Sequence, residues 1–222
     1  MSAEGTSDSG RIAMVGARSG LEYRRIQEEW ADRLEQLERE VFAPTDPGHL
    51  CRADEFAALA RLFPEGNFAG FDGDRIVALG IGIRRPFDFD DPIHRQADVA
   101  ADLGAAHTAD GAWYYGTTIG VLPAYRARGI GDELYQLRKG VCRELGLQGI
   151  VAGGMIPGYA GHRHALSAPA YIEAVVRGDL RDPTLTFQLN QGFEVVCPLP
   201  DYLHNPEVGN WAVLIRWLNP DR

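Results

Sequence analysis

Six consecutive residues carry the clearest chemistry in this chain: Arg126-Ala127-Arg128-Gly129-Ile130-Gly131. They follow the apolar pair Val121-Leu122 and Pro123, and an amphipathic stretch opens immediately behind them. A strand-to-helix junction of this kind collects main-chain N–H groups at one point, and the helix dipole adds positive character there. Glycines at 129 and 131 let the main chain approach a bound group with no Cβ in the way. Arg126 and Arg128 place charge at the rim. The junction therefore predicts an anion site, with a phosphate or pyrophosphate as the occupant it suits.

Two phosphate-binding patterns fail on inspection. A P-loop ends in Gly-Lys-Ser/Thr, whereas Gly131 is followed by Asp132 and Glu133. A dinucleotide fingerprint needs a further glycine where Leu134 stands, and no acidic ribose ligand follows the next strand.

The arginine-x-x-glycine-x-glycine order, with Val121-Leu122-Pro123 before it and an amphipathic helix after it, resembles the signature of the GNAT acyltransferase superfamily. A second segment, "TFQLNQGFEVV", is similar to that family's late helix–glycine–phenylalanine–strand passage, and the resemblance in element order runs over roughly residues 20 to 220. "GMIPGY" together with "DPTLTFQLNQGF" resembles the GNAT domains found attached to carbon–nitrogen hydrolases.

The resemblance implies a mixed α/β (α+β) fold, with a central sheet of about six to seven strands and helices on both faces. It implies acetyl-CoA or another acyl-CoA as co-substrate, with no metal. The pyrophosphate would rest on Arg126, Ala127, Arg128, Gly129, Ile130, Gly131 and Asp132. The pantetheine arm would lie along the strand from Thr118 to Val121, with Ile119, Gly120 and Val121 as its binding residues, and an N–H near Ile119 would face the thioester carbonyl and stabilise the oxyanion. The reaction implied is transfer of an acetyl or longer acyl group to an amine by direct attack on the thioester.

The catalytic groups common in the family have no counterpart here. The central strand reads Tyr114-Tyr115-Gly116-Thr117-Thr118, without the expected carboxylate base. Four residues before Gly192, where the family's tyrosine acid stands, lies Gln188 beside Phe187. Orientation and oxyanion stabilisation can still lower the barrier, with water carrying protons. The candidate catalytic residues are Ile119, Tyr115, Tyr159, His162 and Gln188, with Tyr114 and His164 as neighbours of the same kinds. Tyr114 or Tyr115 could equally be packed sheet aromatics, and the histidines could be exposed loop residues. Asp88, Asp90 and His94 match no standard metal spacing.

The elements that must position these residues follow from periodicity. Ile26, Trp30, Leu34, Leu37 and Val41 mark one face of a helix that Pro44 and Pro47 stop, and a short helix covers residues 54–63. "NFAGFDGDRIVALGIGI" reads as a hairpin about Asp72-Gly73. Residues 85–111 are expected to form an inserted loop containing Pro86, Pro92, His94 and His107, with one helical turn. A strand through "GAWYYGTTIGVL" precedes a helix over 131–145, whose buried face carries Ile130, Leu134, Leu137, Val141 and Leu145. Then come "GIVA" as a strand, helices near 168–176 and 183–191, and the strands "FEVV" and "NWAVLIRWL". Residues 1 to about 20 are expected to be a disordered tail, and 21–222 a single domain.

Composition narrows the partners. The chain has 222 residues, 45% hydrophobic and 24% charged, and a formal net charge of −9. That balance speaks against a nucleic-acid surface or docking on anionic lipid, and no apolar run is long enough to span a membrane. Cys51, Cys142 and Cys197 are widely separated, which points to a reducing, cytoplasmic setting without structural zinc. A small-molecule or peptide amine is the expected acceptor. An acyl carrier protein could replace CoA as donor if Arg126, Arg128, Arg138, Lys139 and Arg143 formed one basic patch. A non-catalytic acyl-thioester sensor would be a third class, and two copies could pair through a C-terminal strand.

Overall fold

The computed structural model describes residues 12–43 and 50–222. Eight strands form one sheet in the order β1-β2-β3-β4-β5-β6-β8-β7. They are β1 (Ile12–Val15), β2 (Glu22–Arg25), β3 (Phe68–Asp72), β4 (Arg75–Arg85), β5 (Trp113–Val121), β6 (Gly149–Met155), β7 (Glu194–Leu199) and β8 (Ala212–Leu218). All neighbours are antiparallel except β5 and β6, which run parallel. Helices α1 (Ala31–Val41), α2 (Ala53–Leu62), α3 (Ala97–Ala100), α4 (Leu103–Ala106), α5 (Ile130–Glu144), α6 (Ala168–Arg177) and α7 (Leu185–Asn190) complete the mixed α/β architecture.

The sheet has one strand more than the upper expected count. β1 lies within the stretch expected to be a tail, and the tail's first eleven residues lie outside the described ones. β1 is mostly exposed, and β2 reads Glu-Tyr-Arg-Arg, so neither shows an apolar alternation in the sequence. Ile26 belongs to the link after β2. A 3₁₀ turn over Glu28–Trp30 then leads into α1, and Pro44 and Pro47 lie outside the described residues. The 85–111 insertion holds two short helices where one turn was expected.

β4 is buried over eight consecutive positions, from Ile76 to Ile83, the mark of a central strand covered on both faces. Two glycines, Gly80 of β4 and Gly120 of β5, identify the covers. A Cβ on Gly80 would lie 3.1 Å from Leu134 of α5, whereas one on Gly120, across the sheet, would lie 3.5 Å from Val41 and Phe42 at the end of α1. One face thus carries α5 and the other α1. α2 packs on α1, and α4 of the insertion packs on α2.

Two irregularities in β5 shape the site. Its register against β4 shifts between Thr118, opposite Ile81, and Gly116, opposite Gly82, which leaves Thr117 as a bulge. Its pairing with β6 covers only Trp113–Gly149, Tyr114–Ile150 and Tyr115–Val151. Beyond that rung β6 continues against β8 while β5 continues against β4, so the sheet opens.

Candidate functional site

The open stretch of β5 leads into the glycine turn. Leu122 donates its N–H to Val77 of β4 over 3.0 Å. Antiparallel strands alternate which residues face the partner, so Gly120 and Thr118 also address β4, whereas Val121 and Ile119 turn their main-chain groups toward the opening. The arrangement is confirmed at Val121, whose carbonyl accepts from Arg126 Nε at 3.3 Å. Thr117, Thr118 and Ile119 are half-buried, hence reachable from outside. The gap therefore offers a free donor at Ile119 and at Val121.

A short 3₁₀ turn at Pro123–Tyr125 then carries the chain round to α5. Ala127 and Gly129 both take left-handed conformations, with φ of 62° and 83°. The first helical hydrogen bond of α5 runs from Glu133 N–H to the Gly129 carbonyl at 3.1 Å. The N–H groups of Arg128, Gly129, Ile130, Gly131 and Asp132 have no main-chain partner among the described residues. A Cβ at Gly131 would sit 2.9 Å from the tip of the Phe187 ring of α7, so a larger residue there would push that ring aside. Arg126 and Arg128 are exposed, and the Arg128 guanidinium stacks on Tyr125 at 4.8 Å.

Asp132 and Glu133 could spoil an anion site, but both carboxylates are engaged. Asp132 pairs with Arg18 at 2.6 Å and accepts from Gln191 Nε2 at 2.6 Å. Glu133 accepts from Tyr23 and from Arg18 and Ser19, residues that lie before or in β2.

Arg138 departs from expectation. It cannot join a basic surface patch, because it is 2% exposed and reaches the carbonyls of β4 and β5 beneath the gap. Position 138 falls four residues after Leu134 and three before Val141, on the buried face. Its Nη2 donates to the Ile81 carbonyl at 2.6 Å and also to the Thr118 carbonyl, while its ring-facing side covers Tyr114. Ile81 accepts in addition from the Thr117 hydroxyl at 3.1 Å, so the guanidinium and the bulge lock each other. Lys139 donates to the Gln191 carbonyl and Arg143 pairs with Asp221. Of the five expected patch residues only Arg126 and Arg128 stand exposed at the turn, the first touching the Val121 carbonyl and the second the Tyr125 ring. Leu145 differs too, being 36% exposed just past the helix.

The remaining predicted residues fall into three places. Gln188 is buried on the α5 face of the gap, its Nε2 donating to Tyr135 at 3.3 Å and its Oε1 lying over Gly154. Tyr115 faces the other way, with its hydroxyl 2.6 Å from His94 Nε2 and 3.1 Å from the Tyr202 hydroxyl. Tyr159 donates to the Leu166 carbonyl at 3.1 Å, and His162 contacts Tyr171 and the Gly158 carbonyl. Asp182 ties that loop to α7 by accepting from Gly158, Tyr171, Thr184 and Leu185. Tyr114 is core, donating to the Gly66 carbonyl at 2.8 Å. Sequence reasoning passed over Tyr202 and used His94 only as a weak metal ligand, since nothing local links positions 94, 115 and 202.

The model of the acetyltransferase (GNAT) family matches residues 27–158. The chain belongs to that family. Among curated relatives, the "Probable hydrolase YhcX" of Bacillus subtilis is 33% identical over 201 residues, and the match covers 89% of this chain and 38% of that protein. The "Uncharacterized N-acetyltransferase YkwB" of the same organism is 33% identical over 202 residues, covering 90% of this chain and 89% of that one. The chain thus spans well under half of one relative and most of the other. A solved structure, the GphF GNAT-like decarboxylase in complex with isobutyryl-CoA, shares the fold with a TM-score of 0.73 at 20% identity, covering 89% of this chain and 98% of that one.

A GNAT co-substrate would meet groups that suit it. The five N–H groups at the turn without a main-chain partner among the described residues, the two arginines and the dipole of α5 could hold a pyrophosphate, and the Ile119 and Val121 N–H groups could meet amide carbonyls of a pantetheine arm. Gln188 Oε1, buried and without a partner among the described residues, adds an acceptor across the gap.

Proposed function

We propose that this chain transfers an acyl group from an acyl-coenzyme A thioester to an amine, by direct attack of the amine on the thioester carbonyl. The observation that carries the reading is the parting of β5 from β6 after Tyr115, which leaves Ile119 facing a gap that ends at the α5 turn. A thioester laid along that gap would have its carbonyl oxygen at the Ile119 N–H, the place where charge develops during attack. The similar structure that holds isobutyryl-CoA supports a CoA thioester as donor.

A carrier-protein donor is less well supported. It lacks the nucleotide and needs a broad basic surface, whereas Arg138 is buried and Lys139 and Arg143 are engaged elsewhere. The sensor alternative rests on the missing carboxylate of β5 and on Gln188. Any turnover with an amine would dispose of it. Among the catalytic candidates Tyr115 has the most suitable neighbours, since the Tyr159 hydroxyl is committed to Leu166.

Calorimetric titration with coenzyme A, acetyl-CoA and a long-chain acyl-CoA tests the donor, with Arg126→Glu alongside. Binding that weakens at least about tenfold in the variant supports a pyrophosphate at the turn. Failure of the unaltered protein to bind any of the three would sink the reading.

A further inference from the structure

On the sheet face opposite Arg138 and Gln188, three side chains meet where the sheet opens. The Tyr115 hydroxyl lies 2.6 Å from His94 Nε2 and 3.1 Å from the Tyr202 hydroxyl, and His94 Nδ1 lies 2.8 Å from the Pro92 carbonyl. A carbonyl oxygen only accepts, so Nδ1 carries the imidazole proton and Nε2 is bare. Nε2 then accepts from Tyr115, and the Tyr115 oxygen accepts from Tyr202. The hydrogen bonds run in one direction, from Tyr202 through Tyr115 to His94.

The position of the chain of hydroxyls is as telling as its direction. Tyr115 sits on the last rung that joins β5 to β6. The hydroxyl end of the Tyr202 ring lies over Gly153 of β6, where a Cβ would come within 2.2 Å of the ring. The outer end of the series therefore stands beside the opening, two residues past that rung, while the inner end is walled by Phe87, whose ring is 5.7 Å from His94 and 6.2 Å from Tyr115. The insertion that supplies His94 is fastened here by Gln96 N–H, which donates to the Tyr202 carbonyl at 2.8 Å.

We infer that Tyr202, Tyr115 and His94 form a proton relay that removes the surplus proton of the acceptor amine during acyl transfer; the inference rests on the acyltransferase reading above. In the step, the amine nitrogen attacks the thioester carbon, the C–N bond forms, and the C–S bond breaks with the electron pair leaving on the thiolate. The nitrogen's surplus proton passes to the Tyr202 oxygen, the Tyr202 proton to Tyr115, and the Tyr115 proton to His94 Nε2. The imidazolium then returns its proton to solvent, from which the thiolate takes one. The relay supplies what the carboxylate-free strand β5 lacks.

The electrostatic setting agrees. Burial, helped by the charge of Arg85 over the Tyr115 ring at 5.7 Å, holds His94 below its ordinary value, against the opposing pull of the Pro92 carbonyl and Asp98. His94 is thus neutral and able to receive a proton at neutral pH. Burial pushes Tyr202 up to about 12 and Tyr115 well above its usual value, so neither is a standing anion and the protons move in concert.

The test compares the full chain with His94→Gln and Tyr202→Phe in three measurements: coenzyme A binding, the histidine nitrogen NMR spectrum, and thiol release from acetyl-CoA with hydroxylamine as acceptor. Expected are binding within about twofold of the unaltered protein, and a His94 ring protonated at Nδ1 only. Turnover should fall on the order of 100-fold in both variants, with the acidic limb of the pH–rate profile lost in His94→Gln. Loss of binding in the unaltered protein would instead count against the donor assignment, and the NMR spectrum would still decide the relay's direction. Protonation of His94 at Nε2 in the free protein overturns the inference. So does thiol release with an unchanged rate and pH profile in both variants, or acetyl-CoA binding by the unaltered protein with no release above background.

Discussion

The Tyr23 hydroxyl of β2 donates a 2.7 Å hydrogen bond to Glu133 Oε2 in the first turn of α5. Glu133 Oε1 accepts from the N–H groups of Arg18 and Ser19, and the Ser19 hydroxyl reaches Oε2. Four donors thus turn one carboxylate inward and leave it 3% exposed. Arg18 meanwhile neutralises Asp132, the other acid of that turn. The β1–β2 hairpin therefore clears negative charge from the mouth of the proposed anion site at the α5 turn, so that the N–H groups there keep their positive character.

Removing this clamp should be costly. Glu133→Ala leaves buried donors unpaired and is expected to lower stability by about 3 kcal/mol, while Tyr23→Phe loses one hydrogen bond and about 1 kcal/mol. Burial alone would raise the Glu133 carboxyl, but hydrogen bonds from Ser19, Tyr23 and the Arg18 and Ser19 N–H groups outweigh it and hold it below its usual value. A depressed folded-state value means that this stabilisation is present above the ordinary carboxylate range and fades as pH falls through the folded value. Urea unfolding at about pH 7 and about pH 4 checks both claims. The gap between the unaltered protein and Glu133→Ala should narrow at the lower pH, and a gap that stays constant would refute the assignment.

Two neighbouring residues at the turn should respond in opposite directions. Gly129 has φ of 83°, and a Cβ there would lie 2.9 Å from Arg18 Nε. Gly129→Ala is expected to cost about 1–2 kcal/mol for the left-handed conformation, and to loosen coenzyme A binding by displacing Arg18 from Asp132. Ala127 already bears that conformational cost at φ of 62°. Ala127→Gly removes it and should stabilise by up to about 1 kcal/mol, less what glycine adds to the unfolded chain's freedom. Thermal unfolding of the two variants decides the matter, and a shift of the same sign in both would contradict the turn geometry.

The shape of the turn was legible in the sequence because a left-handed bend into a helix is announced locally by its glycines. The 3.6-residue period of Leu134, Val141 and their neighbours likewise announced α5, and the runs of β-branched and aromatic residues announced β4, β5 and β8. Arg138 was misplaced because a basic residue on an amphipathic helix reads as solvated. Its burial depends on two carbonyls freed by the bulge at Thr117, a tertiary feature without a local signal. β1 and β2 escaped for a related reason: both are only four residues long, β2 carries three charged positions, and they are held by pairing β1 to β2 and β2 to β3 and by the clamp on Glu133, not by their own propensity. The grouping of His94, Tyr115 and Tyr202 joins residues from the insertion, a central strand and the link before β8, which only the folded chain brings together.

Arg138 offers a test of how far the bulge governs the site. Both Ile81 and Thr118 carbonyls depend on its guanidinium, and Thr118 directly precedes Ile119. Arg138→Lys keeps the charge but loses the fork that bridges the two strands. The expected outcome is a loss of about 2 kcal/mol in stability and about a tenfold fall in acyl-transfer kcat, with the coenzyme A dissociation constant little changed because the turn is untouched. Calorimetry and steady-state kinetics on the same preparation would separate these. A weakened dissociation constant with unaltered kcat would mean that Arg138 supports the co-substrate and not the reacting strand.

The last prediction concerns the face that carries α1. Glu38 is 3% exposed; its Oε1 accepts from Cys51 N–H at 3.3 Å, and its Oε2 has no partner among the described residues. Burial chiefly, with the negative charge of Glu55 beside it and against the Cys51 hydrogen bond, pushes its carboxyl up to about 7. A folded-state value raised above that of the unfolded chain gives stability that is complete below the ordinary carboxylate range and is lost as pH rises through about 7. The shift corresponds to about 3 kcal/mol. Glu38→Gln keeps the acceptor for Cys51 and removes the ionisation, so it should be about 3 kcal/mol more stable than the unaltered protein at about pH 8 and within about 1 kcal/mol of it at about pH 5. Denaturant unfolding at the two pH values measures the difference. Equal effects at both would show that Glu38 does not titrate in the folded chain near neutrality, and that its burial is met by a partner other than a proton.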